Sequence, residues 1–290
     1  GIETSRILLG NGSHELLMML AQVFAGPGDE VVASQYGFAV YALAAQAAGA
    51  TLRRAPARPA GDPMARGHDL AALAATVGPA TRLVYLANPN NPTGTLWDAG
   101  VIERLIAAQG AQGGLVVMDE AYQPFAVRSW IDHVRAAPEK HGHVLIMRTL
   151  SKFGLAGVRI GYMLGDAALI AEIDKVRPPY NVSVLNAECA LFAIEHADVF
   201  AAQALDIQAQ RALIFEALGK LPSVTAYPSQ GNMILVRVPD AQKVFDGMKA
   251  RRVLIKNVSK MHPLLDNCVR LTVGTADENA QMLAALEASL

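Results

Sequence analysis

Short apolar runs and longer amphipathic stretches alternate along the first two-thirds of the chain. Residues 6–9, 30–33, 82–87, 115–118 and 144–147 are strand-length runs rich in Val, Ile and Leu, with little polar alternation. Strands of that kind are covered on both faces, as in a parallel sheet. Helical patterns lie between them. Over residues 14–24, Leu16, Leu17, Leu20, Val23 and Phe24 fall on one face, with Ser13 placed to cap the helix. A helix of small residues follows Tyr41, and residues 69–77, 97–109 and about 130–135 supply further helices. A Pro- and Arg-rich loop is expected over residues 55–67. Strand and helix in repeated alternation predict an α/β fold on a mostly parallel sheet.

From Asn186 the rhythm changes. Long helical stretches over 187–196 and 199–218 lead to strand-like segments at 224–227, 233–238, 253–256 and 269–273. Helices are expected over 241–251 and 277–288. This predicts a smaller C-terminal α+β domain, with residues 1–200 forming the large domain and 201–290 the small one.

Composition narrows the function classes. The chain has 290 residues, enough for sizeable cores. Its 25 Lys+Arg against 26 Asp+Glu leave no nucleic-acid footprint and no polybasic membrane patch. Residues 31–52 carry no charge, yet Ser34, Gln35, Gly37, Gln46 and Gly49 interrupt them, so a strand and an Ala-rich helix are expected rather than a membrane span. With 52% hydrophobic and 18% charged residues, burial is extensive and should include subunit contacts. The two cysteines, Cys189 and Cys268, suit a reducing cytoplasm and are expected in the core. The sequence opens almost directly on a strand without an initiator Met, so a preceding segment is expected.

The polar motifs sit where the strands end, which in open α/β sheets is the edge that binds ligands. Gly10-Asn11-Gly12-Ser13 turns from a strand into a helix N-terminus, a phosphate site in form and otherwise a tight connection. Tyr36, Phe38 and Tyr41 follow the second strand. Core packing is the first reading for Tyr41, and Phe38 can stack on a flat ligand. Asn88-Pro89-Asn90-Asn91-Pro92-Thr93-Gly94 fixes an irregular backbone with amides projecting from it, and contains a candidate cis peptide. Asp119-Glu120-Ala121-Tyr122 ends the next strand, with Glu120 on the face opposite Asp119. Then comes Thr149-Leu150-Ser151-Lys152, followed by a glycine-punctuated turn and Arg159. Such a lysine is either part of a polar connection or a nucleophile toward a carbonyl. Asn11–Ser13, Phe38, Asn91, Asp119, Tyr122, Lys152 and Arg159 are thus expected around one cleft.

A planar pyridine bearing an aldehyde, a hydroxyl and a phosphate would give each of these groups a role. Lys152 would bond the aldehyde and Asp119 would pair with the ring nitrogen. Asn91 and Tyr122 would hold the ring oxygen, and Phe38 would stack on the ring. Gly12, Ser13, Thr149, Ser151 and Arg159 would hold the phosphate. The seven histidines show no metal-ligand spacing, His141-Gly142-His143 reads as a solvated turn, and no metal is expected.

Asn90-Asn91-Pro92-Thr93-Gly94, Asp119-Glu120-Ala121-Tyr122, Ser151-Lys152 and Gly154-Leu155-Ala156-Gly157-Val158-Arg159 together resemble the fold-type-I pyridoxal-phosphate aminotransferases. Within them the set is most similar to the histidinol-phosphate aminotransferase group, as is Val269-Arg270-Leu271-Thr272-Val273-Gly274-Thr275 near the end. The resemblance implies pyridoxal 5'-phosphate as cofactor and a homodimer. It implies transfer of an amino group from L-histidinol phosphate to 2-oxoglutarate, Lys152 as Schiff-base lysine and proton shuttle, and Asn11 among the phosphate-holding residues. It also implies Arg270 on the substrate's anionic group. Transamination of aromatic amino acids, a lyase or decarboxylase on the same fold, and a non-catalytic cofactor-binding module are the competing readings. Asn181 either approaches the substrate or shapes the turn at 178–181. The sequence departs from the family pattern in three places. Lys152 and Arg159 are seven positions apart, one fewer than in the best-known members, so a tighter loop is expected. Lys256 stands where a second anion-binding arginine is expected, without arginine's bidentate fork. The family's N-terminal segment, with a tyrosine region that helps close the site, belongs to the part expected before Gly1.

Overall fold

The computed structural model describes residues 1–58 and 69–290. Most of the loop expected over 55–67 falls outside the described residues. In chain order the larger unit comprises β1 (Ile7–Asn11), α1 (Gly12–Phe24), β2 (Glu30–Ser34), α2 (Ala39–Ala47), β3 (Thr51–Ala55), α3 (Leu70–Thr76), β4 (Thr81–Ala87), α4 (Ala99–Gly110), β5 (Leu115–Asp119), α5 (Ile131–Ala136), β6 (Val144–Thr149), β7 (Ile160–Leu164) and α6 (Ala167–Asp174). Helices α7 (Val184–Glu195) and α8 (Ala197–Leu218) lead on to β8 (Thr225–Ala226), β9 (Met233–Arg237), α9 (Ala241–Ala250), β10 (Lys256–Asn257), β11 (Cys268–Thr272) and α10 (Ala276–Glu287).

The larger sheet has seven strands in the order β1-β7-β6-β5-β4-β2-β3. Its β3-β2-β4-β5-β6 portion is parallel, while β7 runs antiparallel to both β6 and β1. The reversal brings the N-terminal end of β7, just after Arg159, to the edge where β1, β2, β4, β5 and β6 end. The period-2 rule explains the apolar strands. On β4, Leu83, Tyr85 and Ala87 pack with α1 and α2, while Val84 and Leu86 pack with α3 and α4. On β5, Val117 faces the first cluster and Val116 and Met118 the second. Both faces are buried, each fully buried aliphatic side chain contributing about 1.5–3 kcal/mol.

The smaller sheet is antiparallel, in the order β10-β11-β9-β8. One face is covered by α8, α9 and α10 through residues such as Ile214, Val244 and Leu286. The other packs Leu235, Val258 and Cys268 against Tyr36 of the larger unit. A clasp joins the two. Gln230 N–H donates to Gly94 O at 2.7 Å, and Arg211 Nη1 donates to Phe125 O (3.0 Å) and Gly231 O (2.8 Å). Gly94 has φ +69° and a Cβ there would collide with Ser229, so the clasp requires glycine at that turn.

Several details differ from the sequence expectations. The first helix begins at Gly12, so Ser13 lies inside its first turn rather than capping it, while the Glu15 carboxylate accepts from Asn11 N–H. Strand β3 and helix α6 were not expected. The first lies at a sheet edge with Thr51, Arg53 and Arg54 exposed, which removes the apolar signal of a strand. The strand expected at 253–256 is reduced to Lys256–Asn257, following a turn where Arg252 has φ +62°. Helix α8 runs unbroken through residue 200. Cys268 is buried as expected, but Cys189 is exposed on α7. His141 is no solvated turn residue. It is buried, with Nε2 3.1 Å from Glu103 Oε1 and Nδ1 2.8 Å from Ala137 O. No described helix is long and apolar enough to cross a membrane.

Candidate active site

A cavity of about 290 Å³ opens at the shared strand edge. Ser13, Phe38, Asn91, Asp119, Tyr122, Thr149, Ser151, Lys152 and Arg159 line it, whereas Asn11 and Gly12 do not.

The last residue of β5 supplies its floor. Asp119 is 5% exposed. Its Oδ1 accepts from Ala121 N–H at 3.0 Å and its Oδ2 from the Tyr41 hydroxyl at 2.7 Å. Burial pushes its pKa up, and the bonds from Tyr41 and Ala121, with the charge of Lys152, act against that. The neighbouring Glu120 points away, as the strand alternation requires. It accepts from Arg148 Nη2 (2.9 Å) and Ser129 Oγ (2.8 Å), and so ties the turn after β5 to β6.

Beyond β6 the chain makes two short 3-10 turns, Leu150–Phe153 and Ala156–Val158. Gly154 (φ +84°) and Arg159 (φ +52°) adopt left-handed backbone in the seven-residue passage from Lys152 to Arg159. Thr149 Oγ1 accepts from Ser151 N–H at 3.1 Å and lies 2.9 Å from Ser151 Oγ. Arg159 donates to Ala156 O at 3.1 Å and more distantly to Ser151 Oγ at 3.4 Å. A Cβ on Gly12 would collide with the Arg159 guanidinium, so this glycine seats the arginine against the N-terminus of α1. Lys152 Nζ lies 5.2 Å from the centre of the Tyr122 ring. Burial lowers the lysine's pKa, the charges of Arg270 and Arg159 lower it further, and Asp119 opposes them.

Both Asn88–Pro89 and Asn91–Pro92 are cis. Asn91 Oδ1 accepts from Arg270 Nη1 at 2.6 Å, so β11 of the small sheet reaches the cavity's rim. Among the described residues none accepts a hydrogen bond from the buried Arg270 Nε. Lys256 is directly across from Arg270 on β10, and its side chain is exposed.

Not every expected residue faces the cavity. The Asn11 side chain turns to donate to Asn181 O at 3.1 Å, while Asn181 Nδ2 donates to Glu15 Oε2 at 2.7 Å. These two asparagines meet each other beside the cavity. Conversely, His14 and Tyr41 line it and were not assigned to it from the sequence. The signal for Tyr41 was its hydroxyl, because a buried tyrosine needs a hydrogen-bond partner where phenylalanine would not.

Residues 2–286 match the family described as aminotransferase class I and II. The chain is 58% identical over 290 residues to a histidinol-phosphate aminotransferase of Acidovorax sp. (strain JS42), covering 99% of this chain and 77% of the relative. It is 59% identical over 284 residues to one of Polaromonas naphthalenivorans (strain CJ2), with 98% and 76% covered. The crystal structure of histidinol-phosphate aminotransferase from Sinorhizobium meliloti in complex with pyridoxal-5'-phosphate superposes with a TM-score of 0.81 at 28% identity, covering 97% of this chain and 76% of that one.

Proposed function

The chain belongs to the class I and II aminotransferase family, and we propose that it transfers the amino group of L-histidinol phosphate to 2-oxoglutarate, yielding imidazole acetol phosphate and L-glutamate. The observation that carries this reading is that Lys152, Asp119, Ser151 and Arg159 line one cavity, with Arg270 bonded to Asn91 of the same lining. The naming of relatives more than half identical to this chain supports the choice of donor.

The cofactor is pyridoxal 5'-phosphate, and the donor set fits it. Ser13, Thr149, Ser151 and Arg159, with the backbone at Gly12, would hold its phosphate at the N-terminus of α1. Asp119 would pair with the ring nitrogen, Asn91 and Tyr122 would hold the ring oxygen, and Phe38, which lines the same cavity, would stack on the ring. Asn11 would contribute by fixing the turn, its side-chain amide donating to Asn181 O rather than to the phosphate. When bound, the cofactor supplies an aldehyde that captures amines and a ring that accepts the electron pair of the substrate's α-carbon.

The chain's own residues do the rest. Lys152, with its pKa lowered, offers a neutral amine at lower pH than an exposed lysine does, and its Nζ takes the proton from the substrate's α-carbon. Asp119 would keep a proton on the ring nitrogen of the bound cofactor. Arg270, fixed by Asn91, keeps a donor for the substrate's phosphate or carboxylate. Lys256 adds positive charge beside it, and Asn181 acts through Asn11 and Glu15. Residues 1–200 serve as the cofactor-binding domain and 201–290 as the substrate-closing domain. A homodimer is favoured by α7, where Leu185, Phe192 and Ile194 are 77%, 60% and 65% exposed and a second copy would cover them. Cys189 and Cys268 are not joined in a disulfide among the described residues, which supports a cytoplasmic setting.

The test is a panel of amino donors with 2-oxoglutarate, following L-glutamate. L-Histidinol phosphate should give the highest kcat/KM. A preference for phenylalanine or tyrosine would move the assignment to an aromatic aminotransferase, and carbon dioxide release without a keto acid would move it to a decarboxylase.

A further inference from the structure

Tyr41 has no part in the assignment above, yet it touches the residue on which that assignment depends. It stands in the first turn of α2, is 2% exposed, and places its hydroxyl 2.7 Å from Asp119 Oδ2. The ring is held on both sides. It stacks on Tyr85 with centroids 4.8 Å apart and planes 6° apart, and meets Phe38 edge-on at 5.9 Å. Tyr85 is anchored in turn by donating to Leu17 O at 2.9 Å. The hydroxyl therefore reaches Asp119 from a fixed aromatic pair at the core, with almost no rotamer freedom left to lose.

We propose that Tyr41 is a positioning residue for the reaction: by donating to Asp119 Oδ2 it fixes that carboxylate's orientation and leaves the proton on the cofactor's ring nitrogen. This rests on the reading of Asp119 as the ring nitrogen's partner. A carboxylate in an apolar environment competes for a shared proton, and each hydrogen bond donated to it weakens that competition. Asp119 has two such bonds. The one from Ala121 belongs to the backbone of its own turn, so Tyr41 supplies the side-chain contribution. The other titratable groups that act on Asp119 are Lys152, whose charge favours the carboxylate, and Glu120, whose charge disfavours it. Tyr41 itself stays protonated, because burial and then the charge of Asp119 push its pKa well up.

The experiment is a pH titration of the visible absorbance of the protein loaded with pyridoxal 5'-phosphate. Four chains are compared: wild type, Tyr41→Phe, Asp119→Asn and the double variant. Phenylalanine preserves the ring and its stacking. Loss of the donor lets the ring-nitrogen proton move toward Asp119, so positive charge on the ring falls. The nitrogen contributed by Lys152 then holds its own proton more strongly, and the midpoint rises. A charge-assisted hydrogen bond corresponds to a rise of about one pH unit. The expected accompaniment is a fall in kcat of about tenfold with the amino donor's KM within about twofold. In the Asp119→Asn background Tyr41→Phe should produce no further shift, since no carboxylate remains to hold. Should Tyr41→Phe not fold, 3,5-difluorotyrosine at position 41 keeps the shape, donates more strongly and should move the midpoint down. An unchanged midpoint, or an equal shift with and without the Asp119 carboxylate, overturns the role of Tyr41 while leaving the aminotransferase reading intact. If the wild-type chain develops no visible band with the cofactor, that reading fails and this inference with it.

Discussion

The two ends of the cavity are built in opposite ways. At the Asp119 end, Asp119 and Tyr41 are buried and each carboxylate oxygen is already bonded, by Tyr41 from the core and Ala121 from the turn. At the Arg159 end the arginine is exposed, sits on a loop of two short 3-10 turns, and its bond to Ser151 is long at 3.4 Å. The difference matches the two demands on the site. Chemistry at a ring nitrogen needs one fixed geometry, which a sheet and its core provide. Capture of a phosphate needs several donors that can close on an anion, which a loop and a helix N-terminus provide.

That contrast can be broken experimentally. The largest effect is expected from Lys152→Ala, which should abolish the cofactor's visible band and reduce turnover by at least about a thousandfold. Residual turnover near that of wild type would remove Lys152 from the chemistry. Asp119→Asn comes next, with kcat down about a hundredfold and cofactor affinity changed less. Arg270→Ala should act on the substrate instead, raising KM for the donor by at least about tenfold. Arg159→Ala should mainly weaken cofactor binding, by about tenfold as read by equilibrium dialysis, with kcat at saturating cofactor nearly kept. If it reduced kcat as far as Asp119→Asn does, the division between a rigid chemical end and an adaptable anion end would be wrong. The smallest effect is on pH. Cofactor capture should increase as Lys152 loses its proton, with a midpoint below the ordinary lysine value of 10.5. Arg270→Ala removes a positive charge that lowers this pKa, so it should shift that midpoint up.

The same contrast explains what could be read from the sequence. The parallel strands of the core were legible because burial on both faces leaves nearly continuous apolar runs, as at Leu83–Leu86 and Val116–Met118. Strand β3 was not, since Arg53 and Arg54 on an exposed edge carry no such run. The motifs ending β4, β5 and β6 declared their residues because Asn, Asp and Lys at strand ends are conspicuous. Tyr41 did not, because a tyrosine in an Ala-rich helix has the apolar pattern of any core residue and only its partner reveals it. Strand direction is not encoded in local pattern, so the reversal of β7 that brings Arg159 to the cavity became visible only in three dimensions. Arg270 was placed through family resemblance, and its bond to Asn91 across 179 residues is a tertiary fact.

Under the proposed function, Lys152 and its cavity pass an amino group from L-histidinol phosphate to the cofactor and then to 2-oxoglutarate. The most direct measurement is a single half-reaction, with the cofactor-loaded chain mixed with L-histidinol phosphate and no keto acid. The account expects one equivalent of imidazole acetol phosphate per chain, no ammonia or carbon dioxide, and L-glutamate only once 2-oxoglutarate is added. Continued product formation without the keto acid, or no product at all, would contradict it.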